Sequence, residues 1–177
     1  MVEHTIREAR DSDRWQIVDV FNYHVKNSFA AYPATEVGFG FVDALRNMSK
    51  GFPFLVIEVD QRVVGFGLMR PYHRYETFKR TGLLTYFILP EYTGLGWGSE
   101  LLDRLVREAV VRGMDNLLAS ISSRNEQSLA FHGKHGFVEC GRLRDVGVKF
   151  GKSFDVVWMQ KRVEQSRLAR SVTCASS

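Results

Sequence analysis

Pro90-Glu91-Tyr92-Thr93-Gly94-Leu95-Gly96-Trp97-Gly98-Ser99 lies between an apolar run and an amphipathic helix. Its alternate glycines leave peptide N–H groups uncovered by side chains, and the helix that follows turns its positive end toward the same place. Together they make a cradle for a phosphate or pyrophosphate. On one side, Leu83-Leu84-Thr85-Tyr86-Phe87-Ile88-Leu89 is a β-rich run that ends at Pro90. On the other, Leu101, Leu102, Leu105, Val106, Ala109 and Val110 form one apolar helix stripe, closed by Gly113.

Working outward, the pattern keeps alternating. Thr5 to Ala9 reads as a short strand, and Asp11 and Ser12 offer N-cap oxygens to a helix carrying Trp15, Val18, Phe21, Asn22 and Val25 at helical spacing. A loop with Pro33 precedes a shorter helix from Phe41 to Met48. Phe54 to Val59 and Val63 to Met69 are strands joined by the hairpin-length turn Asp60-Gln61-Arg62. Leu117 to Ile121 is a buried strand; Ser123 and Glu126 have capping-box spacing and start a helix that stops at Gly136. Phe137 to Val146 and Ser153 to Met159 read as strands flanking Phe150-Gly151-Lys152. No repeat or linker interrupts the chain, which predicts one α/β domain with a mixed sheet over residues 1–163 and a polar, frayed, disordered tail over 164–177.

Composition sets the outer limits. The chain has 177 residues, 45% of them hydrophobic and 25% charged, which suits one soluble globular domain. A net charge of +4 without a dense Lys/Arg block leans toward small anionic ligands and away from nucleic acid. Two cysteines, Cys140 and Cys174, give no disulfide framework, and the scattered histidines lack zinc-type spacing, so no metal is expected. The start of the chain lacks a signal-peptide core and no run approaches membrane-spanning length, which predicts a cytoplasmic protein with no membrane partner.

Two other readings of the glycines compete. Glycine is a generic turn former, so a plain helix-initiating turn is one. A dinucleotide site is the other, but it wants a third glycine where Ser99 stands and an acid closing the next strand, which here ends Ile121-Ser122-Ser123. It would also open the fold rather than follow a hairpin. Thr93-Gly94-Leu95-Gly96-Trp97-Gly98 instead resembles the phosphate loop of the GNAT acetyltransferases, Arg/Gln-x-x-Gly-x-Gly/Ala, with Thr93 at the leading position. The order of elements matches that superfamily from Thr5 to Lys161. Three segments are similar to its phosphinothricin acetyltransferase branch: Phe21 to Tyr32, Thr85 to Tyr92 with the glycines, and Asn125 to Phe137. The runs Val146 to Gly151 and Asp155 to Gln160 continue that likeness.

The resemblance implies a GNAT fold, a mixed and mostly antiparallel central sheet flanked by about four helices. It implies acetyl-CoA as co-substrate, a small-molecule amine acceptor and a homodimer. Backbone N–H groups of Gly94, Leu95, Gly96, Trp97, Gly98 and Ser99 would take the pyrophosphate. Those along Tyr86, Phe87 and Ile88 would hold the pantetheine arm and polarise the acetyl oxygen. Asn125 would bind acetyl-CoA, and His132 would sit near the thioester sulfur. At about 100° per residue Asn125, Ser128 and His132 share one polar helix stripe. Chemistry requires a neutral amine, which an alkyl ammonium becomes only by losing a proton, and a proton for the leaving thiolate. A neutral His132 could accept the first, a protonated one supply the second.

The likeness breaks on the strand before the loop. The branch has a glutamate seven residues ahead of the proline, a position held here by Leu83, with Leu83, Thr85, Phe87 and Leu89 on one face. Either His132 and water handle the protons, or a carboxylate such as Glu76 arrives from the preceding loop, or the acceptor amine has a lower pKa. Arg70, Tyr72, His73 and Arg74 fall where the family builds its acceptor pocket, with Asn27-Ser28-Phe29 and Val148-Lys149-Phe150 completing it. Arg70 or Arg74 would hold a carboxylate or phosphinate by paired hydrogen bonds. The expected activity is N-acetylation of an amino-acid analogue such as phosphinothricin, methionine sulfone or methionine sulfoximine. The alternative is a catalytically weak module that binds or senses acyl-CoA.

Overall fold

The computed structural model describes residues 3–164. Its elements run β1 (Thr5–Glu8), α1 (Arg14–Asn27), α2 (Gly40–Met48), β2 (Phe54–Val59), β3 (Arg62–Pro71), β4 (Thr81–Ile88), α3 (Trp97–Val111), β5 (Asn116–Ser122), α4 (Glu126–Lys134), β6 (Val138–Lys149) and β7 (Lys152–Arg162). Short 3-10 turns stand at Asp11–Asp13, Glu76–Phe78 and Pro90–Tyr92. The seven strands form one sheet in the order β1-β2-β3-β4-β5-β7-β6. Only β4 and β5 pair in parallel. This is the mixed, mostly antiparallel sheet with four helices that the sequence led us to expect. Beyond Glu164 the expected tail lies outside the described residues.

Helices cover both faces, so the central strands are apolar on both sides rather than alternating. The α3 stripe of Leu101, Leu102, Leu105 and Ala109 packs with Leu55, Ile57, Val64 and Met69 on one face. On the other, Ile17, Val20, Phe21 and Val25 of α1 with Val42 and Leu45 of α2 cover Phe54, Val56, Phe66 and Leu68. The β2–β3 turn uses Asp60 and Gln61 at φ 47° and 63°, the left-handed pair that a two-residue hairpin requires.

Two caps differ from expectation. Asp11 and Ser12 lie inside the 3-10 turn, and the oxygen that caps it belongs to Asp13, which accepts the Arg10 N–H at 2.7 Å. Asp13 is chosen because the Arg7 guanidinium already holds its carboxylate in place, through Nη1 at 2.7 Å and Nη2 at 2.9 Å. At α4 the cap is Asn125, whose Oδ1 accepts the Ser128 N–H at 3.2 Å. Ser123 is drawn off instead to accept the Asp155 N–H at 2.9 Å, which ties the end of β5 to β7. Asn125→Ala is therefore expected to lower unfolding free energy by about 1 kcal/mol, measured by denaturant titration, where Ser123→Ala leaves the α4 cap intact.

One topological detail builds the site. The parallel ladder of β4 with β5 spans only Thr81–Leu83 against Asn116–Leu118. Beyond Leu83, β4 stays paired with β3 up to Ile88 but has no ladder to β5, so the two strands part. Peptide groups on that side of β4 are left for something else to satisfy.

Candidate active site

The opening between the parted strands is a cleft of about 450 Å³. Tyr86, Phe87 and Ile88 line it along β4, and Gly94, Gly96, Gly98 and Ser99 line it at the glycine turn. Asn125, Ser128, Phe131 and His135 contribute from α4, and Tyr23, His24, Asn27 and Ser28 from the end of α1 and the loop after it. Two other depressions of similar volume, one around Arg124 and Asp155 and one around Trp15 and Asn22, contain neither the glycine turn nor the free side of β4.

At the turn, Gly94 and Gly96 stand at φ 77° and 87°, where an L side chain is strained. Gly96 is the N-cap residue of α3. A Cβ at Gly98 would meet Ile88 Cδ1 at 3.3 Å and the Phe131 ring at 3.6 Å, so a larger residue would fill the cleft floor. Trp97 turns its ring away from the cleft and stacks between His4 and Tyr92, at 4.6 and 5.7 Å. That stacking pins the first turn of α3 while its backbone faces the opening. Leu95 is exposed and does not line the cleft.

Two histidines line this opening and a third, His132, is buried behind it. His135 Nδ1 donates to the Phe131 carbonyl at 2.8 Å, so its Nε2 accepts from the Ser99 hydroxyl at 2.9 Å. His24 Nε2 donates to the Ile88 carbonyl at 3.0 Å, and its Nδ1 faces Ser28 Oγ at 3.3 Å. Burial lowers the His24 pKa; the Ile88 bond opposes this and the nearby Lys149 charge reinforces it. Neither residue was singled out as a site residue in the sequence; α1 brings His24 to the cleft only through the tertiary fold.

His132 is not in the cleft. It is 3% exposed, and it meets the cleft lining through its hydrogen-bond partner Tyr86. Its Nδ1 lies 2.7 Å from the Ser128 carbonyl and so carries the proton, which leaves Nε2 to accept from the Tyr86 hydroxyl at 2.5 Å. The rings of Tyr86 and His132 stack at 5.4 Å. Burial pushes the imidazole below its ordinary value of 6.5, opposed by the Ser128 bond and reinforced by its neighbour His135. Burial also pushes the Tyr86 phenol well above its ordinary value.

The expected acceptor residues separate. Arg70 sits directly opposite Leu83 in the β3–β4 ladder, so the two side chains share a face. It is half-buried and has no hydrogen bond or ion pair among the described residues, and burial alone lowers its pKa. Tyr72, His73 and Arg74 belong to an exposed aromatic loop in which His73 stacks on Tyr75 at 4.7 Å and Arg74 lies 5.2 Å over the same ring. None of these four lines the cleft. Glu76 does not either: it is exposed and paired with Lys79 at 2.9 Å. Leu83 is 5% exposed, so the position of the branch glutamate is apolar core here. Lys149, 4% exposed, donates to the Ser28 and Ala31 carbonyls at 2.8 and 2.7 Å and so fastens the loop after α1 to the β6–β7 hairpin. Among the described residues no helix is long and apolar enough to cross a membrane.

A sheet that parts beside a glycine turn, with a helix N-terminus at one end, is the architecture of an acetyltransferase. Residues 17–137 match the profile of the Acetyltransferase (GNAT) family, and the chain belongs to that family. It is 30% identical over 168 residues to L-amino acid N-acyltransferase MnaT of Escherichia coli (strain K12), covering 91% of this chain and 95% of that one. It is 30% identical over 161 residues to phosphinothricin N-acetyltransferase of Alcaligenes faecalis, covering 89% and 81%. Among solved structures, a putative acetyltransferase from Salmonella typhimurium with its cofactor acetyl-CoA superposes with a TM-score of 0.82 at 29% identity, covering 91% and 94%.

Proposed function

We propose that this enzyme transfers the acetyl group of acetyl-CoA to the amino group of a small amino-acid-like acceptor in the cytoplasm. The observation that carries the proposal is the parting of β4 from β5 immediately beside the glycine turn. N–H groups from Gly94 to Ser99 and the start of α3 hold the pyrophosphate. The free side of β4 at Tyr86, Phe87 and Ile88 pairs with the amides of the pantetheine arm, and one of its N–H groups polarises the acetyl oxygen. Asn125 spends its Oδ1 on the α4 cap and offers Nδ2 to the cofactor. Phosphinothricin, methionine sulfone and methionine sulfoximine, each an α-amino acid with a second polar group, are the first acceptors to try. Arg70 is the candidate partner for their anionic group, with Tyr72, His73 and Arg74 at the rim.

The proposed assembly is a homodimer. Support comes from β6, which ends the sheet and exposes Val138, Leu143, Val146 and Val148 along a twelve-residue strand. A long apolar edge of this kind is usually covered in solution.

A second reading has one observation in its favour. Leu83 removes the carboxylate of the branch, which fits a weakly catalytic acyl-CoA-binding or sensing module. Release of free CoA thiol, followed with acetyl-CoA and a panel of amino acids and these analogues, separates the two. Acceptor-dependent release supports the enzyme. Tight acetyl-CoA binding without any such release supports the binding module.

A further inference from the structure

We propose that the Tyr86 hydroxyl is the catalytic group that exchanges protons with the acceptor amine and the CoA sulfur, with the buried His132 acting through it. This deepens the acetyl-transfer reading above and rests on it.

The cleft itself offers few alternatives. No Asp or Glu lines it among the described residues. His24 and His135 line it, but His24 donates Nε2–H to the Ile88 carbonyl and turns its Nδ1 lone pair to Ser28 Oγ at 3.3 Å, and His135 uses both ring nitrogens on Phe131 and Ser99. His132 has an imidazole lone pair, yet that lone pair points at Tyr86 rather than at the opening. Tyr86 is thus the one cleft-lining group whose proton is shared with an uncharged base at 2.5 Å.

Burial above all keeps that base neutral. The ionisable groups around it are Tyr86 on β4, His135 just past the end of the same helix, and Lys161 on β7, whose ammonium donates to the His135 carbonyl at 2.5 Å. Among the described residues no carboxylate pairs with the ring to favour an imidazolium. A high phenol pKa has a matching consequence. Phenolate does not accumulate, so the hydroxyl can serve only by passing one proton on as it receives another.

The step balances as follows. The neutral amine attacks the acetyl carbon and a C–N bond forms. The amine proton passes to Tyr86 Oη while the phenolic proton passes to His132 Nε2. Collapse breaks the C–S bond, and the thiolate takes a proton from Tyr86 as Nε2 returns its own. Amine and thioester become amide and thiol, with tyrosine and histidine restored. An acceptor that arrives as ammonium first gives one proton to water.

Tyr86→Phe removes one oxygen and keeps the ring that stacks on His132 and meets Phe131 edge-on at 5.9 Å. We expect kcat to fall about 100-fold or more, with acetyl-CoA affinity changed less than about threefold. The acidic limb of the wild-type kcat–pH profile, set by an imidazole titrating below 6.5, should disappear. His132→Gln should cost a similar factor, and the double variant no more than either single one, as for groups acting as a unit. Wild-type turnover in Tyr86→Phe, or an unchanged acidic limb, would overturn the relay. If that variant does not fold, a proton inventory on the wild-type enzyme decides: a curved dependence on deuterium fraction supports two protons in flight, and a linear one refutes it. Wild-type protein that releases no CoA with any acceptor would overturn the acetyl-transfer reading itself, an outcome distinct from failure of the relay.

Discussion

Replacing Arg70 with leucine is expected to raise KM for anionic amino-acid acceptors by about 10- to 100-fold, leave acetyl-CoA affinity unchanged, and make the folded protein slightly more stable. The combination follows from one fact: Arg70 is a half-buried guanidinium without a partner among the described residues. A cation taken from water and left unpaired costs folding free energy, so its removal relieves the fold. The same cation, met by a carboxylate or phosphinate, makes a charge-assisted pair of hydrogen bonds, each contributing about 1.5–3 kcal/mol. Losing even one such bond corresponds to roughly the stated factor in KM. Steady-state kinetics with several acceptors and a melting curve without ligand measure both halves. A stability loss with an unchanged KM would show that Arg70 is structural packing and not a receptor for the acceptor.

Arg70 gains meaning from its neighbour. The ladder sets it directly opposite Leu83, the position at which the resemblance expected a glutamate. The resemblance expects an anion on this face of β4, and this chain has a cation one strand away with no ion pair among the described residues. Proton handling then falls to the other face of β4, where Tyr86 meets His132.

How far the sequence revealed this depends on the length scale of each interaction. The glycine turn was legible because left-handed φ values at Gly94 and Gly96 leave a residue signature at alternate positions. The helix stripe of α3 was legible from its spacing and proved to be the core of one face. Caps were less so: Asp, Ser and Asn near each start are all competent, and the choice went to Asp13 through Arg7 and to Asn125 once β7 had taken Ser123. The parting of β4 from β5 leaves no local mark, since a strand keeps its composition whether one edge is paired or both. Likewise His132 could be placed on a polar helix stripe with Asn125 and Ser128, but its polarity is answered inside the protein by Tyr86, forty-six positions earlier. Of the wall at the end of α1, Asn27 and Ser28 were expected from the resemblance, while His24 was invisible for the same reason.

That wall depends on an ion cluster at the other end of α1, and Asp13→Ala is expected to cost about 3 kcal/mol of unfolding free energy. Asp13 is 3% exposed and takes both Arg7 nitrogens and the Arg10 N–H, while Arg7 also reaches Glu58 on β2. Removing one member of a buried pair typically costs about 3–5 kcal/mol, because the remaining charge stays out of water. The lower end applies because Arg7 keeps Glu58. Asp13→Asn should cost less, since an amide oxygen can still accept the Arg10 N–H. The effect has a pH signature. Burial raises the Asp13 pKa, but the Arg7 bond, the Arg10 N–H and the Arg7 charge outweigh it, and the net shift is downward. A carboxylate depressed in the folded state stabilises the fold above its unfolded pKa of about 3.9 and loses that contribution as pH falls through the folded value. Wild-type and Asp13→Ala stabilities, measured by urea titration, should therefore differ most near neutrality and begin to converge below about pH 4, as pH falls toward the depressed folded value. A gap that stays constant down to pH 3 would mean that Asp13 contributes through packing and not through its charge.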